Sequence, residues 1–217
     1  MSHTSKLPEV LVPSVKNLIF DLGGVILDLS VDHTLNSFAE LSKMPKEKVH
    51  ELYFSAPGFL EYEKGLMDDK TFRDFVRETY ALSAPDETID DSWNAMLRGI
   101  PSLKLELLQR LQGEFQVFLL SNTNAIHVRH INEFMMPKLP ERRSLDSYFH
   151  KAYYSHRMGK RKPDADIFEQ VLEENHLVPE QTLFLDDYSV NIEGAKSLGI
   201  KTIHVTSPNL ILDYFHA

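Results

Sequence analysis

Cysteine is absent from the 217-residue chain. The protein therefore has no disulfide bond, no thiolate zinc site and no cysteine nucleophile. Long apolar runs are also missing, because the longest are strand-sized and far below the ~18 residues that span a bilayer. A secretory signal begins with a cationic segment followed by an apolar run, and residues 1–12 contain no such pattern. We expect a cytoplasmic protein that does not interact with membranes.

Positive charge is scarce relative to negative charge. The chain has 23 Lys and Arg against 32 Asp and Glu, a formal net charge of −9. Such a surface repels a phosphate backbone, so we expect no nucleic-acid partner. The 42% hydrophobic and 25% charged residues are typical of a globular protein. We expect a monomer or a weak homodimer.

The hydrophobic pattern predicts an α/β protein with a parallel sheet. Apolar strand-like segments alternate with helix-period segments in most of the chain. The predicted strands cover 15–20, 115–120, 182–185 and 201–205. Residues 31–99 break this alternation with four successive helical patterns and no convincing strand. We therefore predict a core formed by 1–30 and 100–217, with an all-helical module at 31–99 inserted after the first strand.

Polar and charged residues directly follow three of the predicted strands. The carboxyl ends of neighbouring parallel strands share one sheet edge, and ligands bind there. The residues are Asp21 and Gly23, then Ser121 and Asn122, then Asp186 and Asp187. Each group alone is also typical of a turn or helix cap. Their shared edge favours a site, and clustered carboxylates without Cys or His suit Mg²⁺.

A basic loop precedes the helix predicted to begin at Asp164. Charge runs of this kind are usually solvated. Here Pro163 restricts Lys162 to an extended backbone, so this lysine is held in one direction. We predict that Lys162 neutralises a carboxylate of the site.

Four segments resemble the ordered motifs of the haloacid dehalogenase (HAD) superfamily. They are Asp21–Val25, Ser121–Thr123, Arg161–Pro163 and Asp186–Asp187 with Asn191–Ala195 following. The chain looks most like the bacterial α-D-glucose-1-phosphate phosphatase group. That further likeness rests on the Gly after Asp21-Leu22, the string Ser121–Asn124, and the segment Glu63–Gly65 followed by Phe72. The resemblance implies a Rossmann-like three-layer core, a mostly parallel sheet and an inserted helical cap.

The resemblance also implies a role for each motif residue. Asp21 would be the nucleophile, and Lys162 would screen the anionic cluster. Ser121 and Asn122 would bind phosphoryl oxygens. Mg²⁺ would be held by Asp21, the Gly23 carbonyl and Asp187, with Asp186 binding directly or through water. The implied activity is hydrolysis of a small phosphorylated metabolite, such as a sugar 1-phosphate, through an aspartyl-phosphate.

One position departs from the pattern of most phosphatases in the superfamily. They have a general acid two residues after the nucleophile, where this chain has Gly23. Two alternatives follow: a 2-haloacid dehalogenase, which needs no such acid, and a catalytically weak protein that binds a metabolite for regulation. Dehalogenases generally lack the acidic pair found at Asp186 and Asp187, so we favour the phosphatase.

Overall fold

The computed structural model of the protein describes residues 14–139 and 144–215. Residues 1–12, from which we expect no secretory signal, lie outside the described residues. Within these two stretches, no helix is both long enough and apolar enough to cross a membrane. The helices and strands are β1 (Asn17–Phe20), β2 (Asp28–Leu29), α1 (Val31–Ser42), α2 (Lys46–Ser55), α3 (Gly58–Glu63), α4 (Asp69–Tyr80), α5 (Asp86–Asn94), β3 (Leu97–Gly99), α6 (Ser102–Gln112), β4 (Gln116–Ser121), α7 (Ala125–His130), β5 (Lys151–Tyr154), α8 (Ser155–Met158), α9 (Ala165–Glu174), β6 (Thr182–Asp186), α10 (Ser189–Ser197), β7 (Lys201–His204) and α11 (Leu210–Phe215).

A five-stranded parallel sheet lies at the centre, in the order β5-β4-β1-β6-β7. This confirms the predicted α/β class with a parallel sheet. The pattern did not reveal β5, which has an exposed first residue and a half-buried second one. Such an edge strand lacks the continuous apolar run by which the central strands are recognised.

Helices cover both faces of the sheet. Along β1, Leu18 and Phe20 pack with α6 and α11, whereas Ile19 packs with α9 and α10 on the opposite face. The alternation follows from the two-residue period of a strand, in which successive side chains point to opposite faces. The result is the three-layer core that the motifs imply.

Helices α1 to α5 follow the first strand and share a third hydrophobic cluster. The segment differs from the predicted all-helical module in two details. It contains the short helix α3, and its last residues form β3, which pairs antiparallel with β2. These elements are too short to produce a hydrophobic period. The division of the chain at residues 30 and 100 stays a prediction.

Candidate active site

Three strand ends meet at the carboxyl edge of the sheet. Phe20 lies opposite Leu119 of β4 and Leu185 of β6, so Asp21 is flanked by both strand ends. Asp21 is buried, and its backbone N–H donates to the Leu185 carbonyl over 2.9 Å. The structure thus places Asp21, Ser121 and Asp186 at one edge, where the sequence predicts a site.

The Lys162 ammonium joins two of the carboxylates. Its Nζ donates to Asp21 Oδ1 and Asp186 Oδ2, each at 2.7 Å, and to the Leu120 carbonyl at 2.8 Å. The side chain is only 1% exposed. An ammonium has three protons, so all three are used. Lys162 is held rigidly between the ends of β1, β4 and β6.

Asn122 fixes the backbone that carries this lysine. Its Oδ1 accepts from the Lys162 N–H, and its Nδ2 donates to the Lys162 carbonyl, both at 2.9 Å. The Lys162–Pro163 peptide bond is cis. The Asn122 amide is therefore engaged with protein, and its predicted contact with a phosphoryl oxygen stays a prediction. The sequence pattern did not indicate the contact between Asn122 and Lys162.

The adjacent residues Asp186 and Asp187 lie in different environments. Asp186 is fully buried. Besides Lys162, it accepts from the Tyr188 N–H at 2.7 Å and from Asn191 Nδ2 at 3.0 and 3.1 Å. Asp187 is less buried and borders the cavity that contains Asp21. The two carboxylates therefore differ in how freely they can bind a ligand.

Burial and mutual repulsion disfavour the charged forms of the carboxylates. Burial raises the pKa of Asp21 to about 7, with Lys162 opposing the shift and Asp186 adding to it. Burial, then Asp186, also raises the pKa of Asp187. For Lys162, burial acts to lower the pKa, but Asp186 and Asp21 outweigh it and hold the pKa above its usual value. The single positive charge of Lys162 therefore does not fully compensate the three carboxylates.

Three carboxylates are arranged to accept a cation. Asp21, Asp186 and Asp187 each offer an oxygen within 4.8 Å of the others. Gly24, at φ +72°, lies so close that an added Cβ would be 2.2 Å from Asp187 Oδ2. Glycine at this position allows the turn to approach Asp187. A compact set of hard oxygen donors with excess negative charge fits Mg²⁺.

Two adjoining cavities open from this edge. The smaller, about 220 Å³, is bordered by Asp21, Lys162 and Asp187. The larger, about 450 Å³, lies between the carboxyl edge and helices α2, α3 and α5, and Ser121 borders it. Gly23 lines both. A ligand that occupies both would place one end beside Asp21 and the other under the inserted helices.

The inserted helices contact the core through the segment Glu63–Gly65. Arg161 donates to Glu63 Oε2 over 3.0 Å, and both residues border the larger cavity. The Glu63 carbonyl accepts from Ser155 Oγ at 2.6 Å. Gly65, at φ +69°, lies so close to the core that an added Cβ would be 2.0 Å from the His156 carbonyl oxygen. The motif Glu63–Gly65 thus docks on the core.

Of the two histidines of α7, His127 packs in the interior. His127 is buried, stacks on Trp93 with ring centroids 5.0 Å apart, and pairs through Nδ1 with Asn94 Oδ1 at 2.9 Å. Burial lowers its pKa to about 3, with His130 adding to the shift, so the ring is neutral at pH 7. In the described part of the chain, the candidate metal-binding cluster contains only aspartates.

Residues 18–205 match the family model of the haloacid dehalogenase-like hydrolases. With the parallel sheet and the acidic site, this match identifies the class. The chain belongs to the haloacid dehalogenase-like hydrolases, and the protein is a hydrolase.

Specific relatives refine this assignment. The chain is 30% identical to a D-ribitol-5-phosphate phosphatase of Bacteroides thetaiotaomicron, over 87% of this chain and 90% of that protein. A HAD family enzyme of the same organism, crystallised with magnesium and inorganic phosphate, is 36% identical with a TM-score of 0.80, covering 87% of this chain and 93% of that one. A HAD-like family hydrolase structure from Porphyromonas gingivalis is 30% identical with a TM-score of 0.80, covering 90% and 91%. The superfamily resemblance is confirmed, whereas the narrower likeness to glucose-1-phosphate phosphatases is not specifically supported, because the relative's name specifies another substrate.

Proposed function

We propose that the protein is a Mg²⁺-dependent phosphomonoesterase that hydrolyses a small phosphorylated metabolite through an aspartyl-phosphate. One observation carries the proposal. The Asp21 carboxylate borders a cavity of about 220 Å³ and contacts a single buried ammonium, with two further carboxylates beside it. Phosphoryl transfer depends mainly on positioning and charge neutralisation, which such an arrangement supplies.

Asp21 is the proposed nucleophile. Its carboxylate oxygen attacks phosphorus, and the bond from phosphorus to the ester oxygen breaks. The ester oxygen leaves as an alkoxide, which takes a proton from water to become the alcohol. Water then attacks phosphorus of the acyl phosphate, which releases inorganic phosphate and restores the Asp21 carboxylate. Lys162 holds Asp21 Oδ1 and offsets its charge throughout. Ser121 donates to a phosphoryl oxygen in our proposal.

The metal ligands in our proposal are Asp21, the Gly23 carbonyl and Asp187. Bound Mg²⁺ supplies charge neutralisation to the phosphoryl group and the nucleophile. Asp186 has hydrogen bonds to both oxygens, from Lys162, Asn191 and the Tyr188 N–H. We therefore assign to Asp186 a contact through water and the positioning of Lys162.

The magnesium assignment has support from the crystallised relative, which binds magnesium and inorganic phosphate. The relative named D-ribitol-5-phosphate phosphatase supports a phosphorylated sugar or polyol, or a derivative of one, as the substrate. A sugar 1-phosphate stays a narrower prediction, based on the missing acid at Gly23. A cytoplasmic location, the absence of a nucleic-acid partner, and a monomeric or weakly dimeric state also stay predictions.

Hydrolysis of p-nitrophenyl phosphate, measured with Mg²⁺ and with EDTA, tests the proposed function. We expect phosphate release that requires metal and falls at least a hundredfold in Asp21→Asn, about 2.7 kcal/mol of barrier. Asp164→Asn, an exposed carboxylate before α9, is the matched control and should retain activity. Chloride release from a 2-haloacid in EDTA would support a dehalogenase instead. Tight phosphate binding without turnover would support a regulatory protein.

A further inference from the structure

The larger cavity is placed to receive the alcohol part of a phosphate ester. It shares Gly23, Asn122 and Arg161 with the smaller cavity beside Asp21. An ester whose phosphoryl group lies at Asp21 can therefore extend its alcohol part into this space. At about 450 Å³ the cavity falls within the ~300–1,000 Å³ typical of sites for drug-sized ligands. Both its position and its size point to a substrate with a bulky alcohol part.

The walls of this cavity are mainly apolar. Tyr53 and Phe54 come from α2, Phe59 from α3 and Trp93 from α5, and Tyr188 comes from the core. Phe54 and Tyr188 are each 62% exposed. Large apolar side chains that line a cleft and remain open to water are typical of ligand-binding surfaces. Their exposed rings would become covered by an apolar ligand group.

Several polar side chains in the same wall are already paired within the protein, whereas Arg161 Nε is buried and has no hydrogen-bond partner. Asn122 bonds to the Lys162 backbone, and His127 bonds to Asn94. Glu63 and Arg161 form an ion pair. A buried hydroxyl that lacks a partner costs free energy relative to water. A hydroxyl beside Arg161 can accept from its Nε–H, but the hydroxyls farther along a fully hydroxylated alcohol would lie against aromatic rings, which offer them few partners.

We propose that the alcohol part of the substrate carries an aromatic ring or an apolar group of similar size, which packs against Phe54 and Tyr188. This inference rests on the proposed phosphatase function and narrows its substrate class. The hydroxylated segment of such a substrate would lie near Arg161 and Glu63, beside the phosphoryl site. An unsubstituted polyol phosphate fills only that segment and binds less well.

The test compares two phosphate esters of primary alcohols, 2-phenylethyl phosphate and ribitol 5-phosphate, with saturating Mg²⁺. We expect kcat/KM to be at least tenfold higher for the phenylethyl ester, about 1.4 kcal/mol. The variants Phe54→Ala and Tyr188→Ala should each reduce this preference about fivefold or more, mainly through KM. Phe134→Ala is the matched control, because Phe134 is 54% exposed and lies outside the lining of both cavities.

Each result leads to a decision. A tenfold preference that is lost in the two cavity variants and kept in the control supports the inference. Equal or better turnover of ribitol 5-phosphate, or a preference that the cavity variants do not change, overturns it and leaves the phosphatase assignment intact. If neither ester nor p-nitrophenyl phosphate is hydrolysed with Mg²⁺, the proposed function is wrong and the inference falls with it.

Discussion

Replacing Lys162 with methionine tests the electrostatic account of the site. Methionine keeps an unbranched apolar stem but removes the ammonium that contacts Asp21 and Asp186 at 2.7 Å. Removing one partner of a buried ion pair costs about 3–5 kcal/mol, because the remaining charge is uncompensated. For a protein of this size each kcal/mol lowers Tm by roughly 2–4 °C, so the loss is roughly 6–20 °C.

The loss should depend on pH in a defined direction. The pKa of Asp21 is raised from 3.8 to about 7 with Lys162 present. Without the ammonium, the pKa rises further. A carboxyl with a higher pKa in the folded state binds a proton on folding, so stability falls as pH rises from about 4 through 7 and beyond. At pH 5 the proton relieves part of the repulsion, so the loss should be smaller than at pH 8 by about 1 kcal/mol or more, the equivalent of one pK unit.

Thermal unfolding in EDTA at pH 5 and pH 8 measures both effects. Lys160→Met is the matched control: it belongs to the same loop, is 31% exposed and lies 3.8 Å from Asp166. Exposed pairs of this kind contribute about 0–1 kcal/mol, so Tm should change little. If the two variants lost the same stability at pH 8, Lys162 would not be compensating the buried carboxylates. Added Mg²⁺ should restore part of the lost Tm in Lys162→Met.

Three further predictions address the metal and the leaving group. Gly24→Ala should weaken Mg²⁺ binding at least tenfold in calorimetry, because the added Cβ would collide with Asp187. Gly159→Ala is the control and should not change the affinity, because Gly159 has a similar φ of +68° and no atom within 4 Å of an added Cβ. Equal Mg²⁺ affinities in the two variants would remove Gly24 from the site. Mg²⁺ affinity should rise from pH 5.5 to pH 8, because a proton on Asp21, whose pKa is about 7, competes with the metal; a flat titration would contradict the raised pKa. Gly23 stands where most phosphatases of the superfamily have a general acid, a group that contributes about 10²–10⁴-fold to the rate. Without that acid, kcat/KM should fall steeply as the leaving alcohol becomes less acidic. Gly23→Asp should make kcat/KM depend less on this acidity. A flat series in the wild-type enzyme would mean that another group supplies the proton.

Much of the core could be predicted because its strands are buried on both faces. The run from Leu18 to Phe20 is fully buried, and a continuous apolar run of this kind has few other interpretations. The polar residues after each run then indicate the carboxyl edge without any knowledge of side-chain positions. The candidate site could thus be predicted at this edge, although the contacts of each side chain could not.

The helical insertion was harder to interpret. Helix α3 spans Gly58–Glu63, less than two turns, so its buried residues do not repeat often enough to produce a period. Its docking on Ser155 and His156 depends on contacts nearly a hundred residues apart in sequence. The ion pair between Glu63 and Arg161 likewise joins residues that are far apart in the sequence. Long-range pairing of single polar groups has no local signal, which is why a sequence pattern predicted the cap but not its contacts.

The difference between Asp186 and Asp187 shows how a fold separates the roles of two identical neighbours. Successive residues of a strand face opposite directions, and β6 ends at Asp186. Asp186 therefore remains inside, where the Tyr188 N–H, Asn191 and Lys162 satisfy both of its oxygens. Asp187 lies beyond the last strand residue and borders the cavity. A single step along the chain thus separates a carboxylate whose oxygens both have partners within the protein from one that borders the cavity, and the sequence pair Asp-Asp alone could not distinguish them.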